Sequence, residues 1–431
     1  MERLERPPGQ RVVVTGVGVV TSLADNIPDF WDGLAAGRSG ITNWKDMDER
    51  VECRVAGDLS GFDPDEHLAR VGAGYPAESV TSARRVLRVT PHSGRLTAAA
   101  ALQAYADAGL DGTDPYPEHI GHVLAGQNLN TPLVTGNSRT FMTEPEFIDP
   151  LFGMVNLDTD VVGVVCELLG LRGPAFMVGG ACASGNLAVL NGIDLIRAGR
   201  AEAVVVCGGV IAMDPLVVHS WAMIDALSYR SFNDDPARAS RPFDARREGF
   251  VPSEGSGAVV IETLAGARRR GAAVHAELLG GAATSNASRQ PQPNREGQEG
   301  AIRGALRDAG IGAGQIDYVN AHATSTLLGD AIEVAAVRAV LGDRSHTVPM
   351  NATKSMIGHT LTSAGVLELI ATALQIRHGV LHPTLNQEVT DPALVLDCIP
   401  NEAREHRIGT AISNSFGFGG LNSCLVIGRP D

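Results

Sequence analysis

The sequence predicts an α/β protein of stacked sheets and helices, and three observations carry that expectation. Short apolar, β-branched runs alternate with segments of helical period along the chain, the signature of parallel α/β layers. At 431 residues the chain exceeds the ~250–300 that one simple core supports. It also restarts: Val274-His275-Ala276-Glu277-Leu278-Leu279-Gly280 repeats the character of the opening run Arg11 to Gly18, which points to a duplicated fold. The division falls near Arg268-Arg269-Arg270-Gly271, giving an N-terminal half of residues 1–267 and a C-terminal half of residues 268–431.

Taken in order, Met1 to Gln10 are polar and lack the apolar core of a signal peptide, and no later apolar run approaches the ~20 residues of a membrane span. A cytoplasmic protein without membrane contact is expected. The first strand-like run is Val12 to Val14. Gly16-Val17-Gly18 follows it, but the third glycine of a dinucleotide loop is missing, so that reading is rejected. The segment from Leu129 to Asp158 is less regular, and its Phe141, Phe147, Leu151, Phe152 and Met154 are apolar enough to fill a core of their own. Gly179-Gly180-Ala181-Cys182-Ala183-Ser184-Gly185 then lies between an apolar run and the helix-like Asn186 to Ala198. At a helix N-terminus, free N–H groups and the helix dipole favour thiolate over thiol, which makes Cys182 a candidate nucleophile. A small buried thiol is the competing reading of that residue by itself. Ala203 to Cys207 and Ala258 to Ile261 are the remaining strand-like runs of this half.

In the second half, strand-like Ile316 to Val319 leads into Asn320-Ala321-His322-Ala323-Thr324-Ser325-Thr326 and the helix-like Gly329 to Val340. A histidine at the C-terminal end of a strand is placed to face a crevice, or else to sit satisfied in the core. Asn351-Ala352-Thr353-Lys354-Ser355-Met356-Ile357-Gly358-His359 precedes an apolar helical segment, Ala364 to Ile376. Lys354 stands out because, of 35 Lys and Arg, only it and Lys45 are lysines. A lysine kept where arginine is the default suggests a need for a compact ammonium. Ile412 to Ser413 and Cys424 to Ile427 close the set of strands.

Fifty glycines, 44% hydrophobic and 19% charged residues describe a chain with much buried surface. The six cysteines carry no CxxC pair, so neither a zinc site nor a disulfide frame is expected. A net charge of −14 argues against generic nucleic-acid binding.

Cys182 in Ala-Cys-Ala-Ser-Gly, His322 in Asn-Ala-His-Ala-Thr-Ser-Thr, Lys354 and His359 in Thr-Lys-Ser-Met-Ile-Gly-His, and Ser415-Phe416-Gly417-Phe418-Gly419-Gly420 together resemble the β-ketoacyl synthases, in that family's order and spacing. Arg11 to Val20, Ser240-Arg241-Pro242-Phe243-Asp244, Gly249-Phe250-Val251 and Glu254-Gly255 extend the resemblance over nearly the whole chain. It is closest to the elongating, type II-like synthases that work as separate proteins. The resemblance implies a thiolase-like fold of five αβαβα layers in two similar halves, with the site where the halves meet. It also implies an acyltransferase that forms an acyl-Cys182 intermediate and condenses it with a decarboxylated malonyl-type unit. By the same resemblance Cys182, His322, His359 and Lys354 are catalytic, and Phe418 and Gly419 belong to the oxyanion and gating turn. Glu333 and Asp330 are supporting residues, and Thr324 and Thr326 bind the pantetheine arm. No cofactor or metal is implied, since substrates arrive as phosphopantetheine thioesters.

The implied partners are an acyl carrier protein and a second subunit, in a homodimer or a heterodimer with a related ketosynthase-like chain. Carrier proteins are typically acidic, so docking on a chain of this charge needs a local basic patch, for which Arg238, Arg241, Arg246 and Arg247 or Arg268 to Arg270 are candidates beside the plainer reading of a solvated cluster. Thr362-Ser363 and Leu421 depart from the family pattern. Gly126-Gln127-Asn128-Leu129-Asn130 and Ser231 to Pro236 resemble synthases of polyketide pathways instead. Two alternatives to condensation stay open: decarboxylation or intramolecular aldol cyclisation of a carrier-bound intermediate, and a non-catalytic carrier-binding subunit.

Overall fold

A computed structural model describes residues 7, 9–110, 117–290 and 292–431. Most of the polar opening read from the sequence, Met1 to Arg6 and Pro8, lies outside the described residues. The first half contributes strands β1 (Val12–Thr21), β2 (Ile120–Ala125), β3 (Ala175–Val178), β4 (Ala203–Gly208) and β5 (Gly255–Thr263). The second contributes β6 (Ala276–Ser285), β7 (Tyr318–Asn320), β8 (Met350–Asn351), β9 (Thr410–Gly417) and β10 (Leu421–Gly428). Hydrogen bonds join all ten in the order β8-β7-β9-β10-β6-β1-β5-β4-β2-β3.

The helices that matter for the site are α1 (His92–Asp107), α2 (Thr131–Thr143), α3 (Thr159–Leu169), α4 (Ser184–Arg197), α5 (Arg295–Ala309), α6 (Leu327–Leu341) and α7 (Ala364–His378). With α2 set aside as an insertion, the first half runs β1-α1-β2-α3-β3-α4-β4-β5 and the second β6-α5-β7-α6-β8-α7-β9-β10. Counted outward from the β1–β6 seam, each half sheet has the same order and the same pattern of two antiparallel then two parallel pairings. The two halves are one topology used twice. The sheet is therefore mixed, with antiparallel strands added to the parallel ones that the alternating pattern suggested. In each half the last strand turns back to lie antiparallel between the first strand and the parallel set.

Helices α1 and α3 cover the first half sheet, α5 and α6 the second, and α4 and α7 lie between the two. That is the five-layered αβαβα arrangement of the thiolase-like fold. The central position explains why Ala364 to Ile376 reads as apolar all round: every one of those residues is buried. The crossing of α4 and α7 requires glycine on both sides, because a Cβ on Gly185 would lie 2.8 Å from Gly365 Cα. This close approach draws the loops that enter the two helices together.

Leu129 to Asp158 is more regular than its sequence suggests, since α2 and a short helix at Phe152–Val155 form there. The segment does not fill a core of its own. Phe141, Phe147, Leu151 and Met154 are all more than half exposed. Among the described residues no helix is long and apolar enough to cross a membrane.

Candidate active site

Each half delivers its chemistry from the loops after its second and third strands. The β3–α4 loop carries Cys182, and its counterpart in the other half, the β8–α7 loop, carries Lys354 and His359. The β7–α6 loop carries His322, and its counterpart after β2 carries Gln127. Duplication thus brings four loops from residues far apart in sequence to one crevice, the kind of location at which open α/β sheets bind ligands.

Cys182 sits in a single 3₁₀ turn, Ala181–Ala183, immediately before α4. Ala181 holds a left-handed φ of +48°, a strained conformation for a residue with a Cβ. It is braced on both sides. Ser184 Oγ accepts from Gly180 N–H at 2.8 Å and donates to the Ala181 carbonyl at 2.7 Å, while Ala181 N–H donates to Gln127 Oε1 at 3.1 Å. The N–H groups of Phe418 and of Cys182 itself reach the sulfur. Gly417 has to be glycine, because a Cβ there would lie 2.6 Å from the Gly180 carbonyl and 3.2 Å from Cys182 N.

The turn provides N–H donors, but the thiolate expected of a helix N-terminus meets an opposing effect. Cys182 is only 8% exposed, and burial pushes its thiol up to about 11 against the lowering influence of Lys354 and the two N–H groups. The resting residue keeps its proton, and the site's donors act on charge that develops during reaction.

His322 and His359 face each other edge to face with ring centroids 5.4 Å apart. His359 Nδ1 accepts from Leu361 N–H at 3.3 Å, which puts the ring proton on Nε2. That Nε2 is buried with no partner among the described residues, and His359 lines the same pocket as Cys182. Lys354 Nζ lies 3.4 Å from His322 Nδ1 and directs the His322 proton to Nε2 in the same way. Burial and the nearby Lys354 cation hold both imidazoles well below their ordinary value, so both are neutral N–H donors at pH 7.

The supporting carboxylates act on backbone. Glu333 accepts from His322 N–H at 2.9 Å and Ala323 N–H at 2.7 Å, and Asn414 Nδ2 donates to it at 3.0 Å. Asp330 accepts from Ser325 N–H at 3.1 Å and Phe243 N–H at 2.9 Å, and burial raises it to about 7. Thr324 and Thr326 line the histidine pocket with their hydroxyl oxygens 3.2 Å apart. Phe418, 42% exposed, borders the pockets on both sides of Cys182, and Gly419 beside it has a φ of +84°. Every site residue expected from the sequence therefore lies in or directly behind this crevice.

Two participants were missed. Glu368 on α7 forms a buried ion pair with Lys354, and a single carboxylate inside the apolar Ala364 to Ile376 run is the signal that marks it. Asn414 on β9 had no signal beyond being a polar residue in a strand. The proposed arginine patch is corrected at Arg241 and Arg247. Arg241 and Arg247 are buried and paired with Asp244 and Asp391, and Arg238 and Arg246 are both engaged with Glu388. Arg241 and Arg247 are therefore not surface cations, while Arg238 and Arg246, 44% and 47% exposed, remain solvated and paired with Glu388. Together the four tie the 238–247 segment to the 386–391 segment. In the second group, Arg270 pairs with Glu262 and Arg269 with Glu202.

Comparison with known proteins adds a family and relatives. Residues 9–267 match the family model "Beta-ketoacyl synthase, N-terminal domain" and residues 275–388 match "Beta-ketoacyl synthase, C-terminal domain". The chain is 38% identical over 439 residues to the tetracenomycin polyketide synthase ketoacyl synthase alpha subunit of Streptomyces glaucescens, covering 99% of both. It is 34% identical over 427 residues to 3-oxoacyl-[acyl-carrier-protein] synthase 2 of Coxiella burnetii, covering 97% of this chain and 99% of that one. Among solved structures it superimposes, with a TM-score of 0.84 and 27% identity over 97% of its length and 99% of the other chain, on a type II polyketide synthase acyl-carrier protein complex with its ketosynthase bound to the hexaketide.

Proposed function

The chain belongs to the β-ketoacyl synthase family and is a condensing acyltransferase, and from that premise we propose how its residues divide the reaction. One observation carries the proposal: Cys182 lines two pockets at once, one shared with His322, His359, Thr324 and Thr326, the other running past Gln127 and Trp221. A thioester entering by the first pocket on its pantetheine arm, along Thr324 and Thr326, presents its carbonyl to the sulfur. Its acyl chain then passes into the second.

Cys182 loses its proton as its sulfur attacks the thioester carbonyl, and the oxyanion takes hydrogen bonds from the N–H groups of Cys182 and Phe418. The carrier thiol leaves with a proton, and the acyl group stays on Cys182. A malonyl-type thioester then enters the emptied arm channel. Its C–CO₂ bond breaks, the electron pair moves into an enolate, and the oxygen accepts hydrogen bonds from Nε2–H of His322 and His359, a form of stabilisation worth several kcal/mol where water is excluded. The enolate carbon attacks the acyl carbonyl, the C–S bond breaks, the 3-oxoacyl thioester and CO₂ leave, and the Cys182 thiolate takes up a proton from solvent. Lys354 and Glu368 hold the His322 tautomer, and Glu333 and Asp330 hold the loops. No resident cofactor has a part.

The proposed partner is an acyl carrier protein in a polyketide or fatty-acid-like pathway, as supported by the relatives' names and the carrier-protein complex among the solved structures; a cytoplasmic location is proposed with it. A second ketosynthase-like subunit is proposed to cover exposed Phe141, Met142, Phe147, Leu151 and Met154. The halves are proposed to divide at residues 267 and 268.

Intact-mass measurement after incubation with a panel of acyl-carrier-protein and acyl-pantetheine thioesters tests this reading, with Cys182→Ala as control. An adduct that needs Cys182, followed by extension on adding malonyl-carrier protein, is the expected result. Failure of every thioester to load Cys182 overturns it.

A further inference from the structure

The pocket running away from the histidines holds about 910 Å³ and has a mixed lining. Ile211, Val217 and Trp221 are among its apolar lining residues, and Gln127, Asn128 and Asn156 add carboxamides. A pocket for a plain hydrocarbon chain has no use for carboxamides. These side chains cannot swing aside with their loop, because Asp158 accepts from the N–H groups of Asn128 and Leu129 at 2.6 and 2.8 Å. Asn130 Nδ2 adds a bond to the Val155 carbonyl at 3.1 Å.

Gln127 is the member nearest the chemistry. Its Oε1 accepts from Ala181 N–H, one residue before the nucleophile, and that bond fixes the amide. The same bond settles which end is oxygen, and the NH₂ group of this pocket-lining residue has no partner among the described residues. A donor anchored in the pocket that Cys182 also lines, and left unpaired, is a recognition element: a chain that brings an acceptor satisfies it, and a saturated chain strips its water without replacement.

We propose that Gln127 is a specificity-determining residue that selects acyl chains bearing oxygen near the thioester. Its Nε2–H donates to a carbonyl or hydroxyl oxygen within the first few carbons of the group on Cys182. The inference rests on the acyl-Cys182 reading above and names the substrate class for it.

Equimolar octanoyl-pantetheine and 3-oxooctanoyl-pantetheine compete for the full-length protein, and intact mass reads the ratio of the two Cys182 adducts at early times. The wild-type protein is expected to favour the oxygenated chain by about 3- to 10-fold, the worth of one net hydrogen bond. Gln127→Glu keeps an acceptor for Ala181 N–H and replaces the donor with a second carboxylate oxygen, and it is expected to bring the ratio to one or below. Gln127→Met, which removes both, is expected to do the same with slower loading. An unchanged ratio in Gln127→Glu, or a wild-type preference for octanoyl, overturns the proposal while leaving the acyl-enzyme reading intact. If neither thioester labels Cys182, the acyl-enzyme reading fails first.

Discussion

Lys354→Met isolates the buried pair behind the histidines. Lys354 and Glu368 are each 1% exposed, and the second Glu368 oxygen has no partner among the described residues, so the carboxylate depends on the ammonium. Removing one member of such a pair costs ~3–5 kcal/mol when the other stays charged. Glu368 has an escape. Burial already raises its carboxyl to about 7 with Lys354 in place, and loss of the cation raises it further. Between the ordinary glutamate value and that raised one, the folded protein binds a proton that the unfolded chain has released, so stability falls as pH rises through this range. Each pH unit is worth ~1.4 kcal/mol, and the destabilisation is expected to be about 1–2 kcal/mol at pH 6 and about 3–5 kcal/mol at pH 8.5. Urea unfolding followed by tryptophan fluorescence at both pH values, at one protein concentration, measures it. Lys354→Met with Glu368→Gln is expected to recover most of the loss at pH 8.5 without recovering malonyl decarboxylation, since His322 still lacks its cation. Equal destabilisation at the two pH values, or a double variant no better than the single one at pH 8.5, refutes the reasoning.

Three further outcomes follow from the geometry. His322 and His359 remain neutral well below their ordinary value, so decarboxylation of a malonyl thioester is expected to lose nothing to imidazole protonation between pH 8 and pH 6. In a variant with Asp330→Asn and Glu368→Gln, which removes the two groups near 7, a titration of the rate centred near pH 6.5 contradicts this. Gly417→Ala pushes a Cβ against the Gly180 carbonyl and the Cys182 turn, and is expected to slow acyl loading about 100-fold, read by the rate of adduct formation with circular dichroism unchanged. Arg241→Met leaves Asp244 buried without its guanidinium, and a loss of about 3–5 kcal/mol in the denaturant midpoint is expected although the residue touches no substrate; a loss under about 1 kcal/mol counts against a structural role for the pair.

Much of the site was legible because its signals are local. A strand ending in small residues, a glycine-framed cysteine ahead of a helix and a histidine after a strand each depend on neighbours within one turn of chain, and Cys182 and His322 became candidates that way; Lys354 stood out by the scarcity of lysine, and the family resemblance gave all four, with His359, their roles. Hydrophobic periodicity likewise identified the strands around Val12, Ala203, Ala258, Ile412 and Cys424. Antiparallel return strands were not legible, since a buried apolar run reads the same in either direction.

Charge and burial belonged to the tertiary structure. Arg241 looked like a surface cation until Asp244 and the 386–391 segment closed around it, and Cys182 looked like a thiolate until burial opposed the helix N-terminus. Glu333 meets Asn414 across 81 residues, and Gln127 meets Ala181 across 54. The sequence by itself determined which groups stand at strand ends and where the chain repeats. Only the folded arrangement decided which charges are paired, which protons are held, and that one cysteine opens onto two pockets. Solvation and Coulomb energies depend on distances through space, and chain order does not encode those distances.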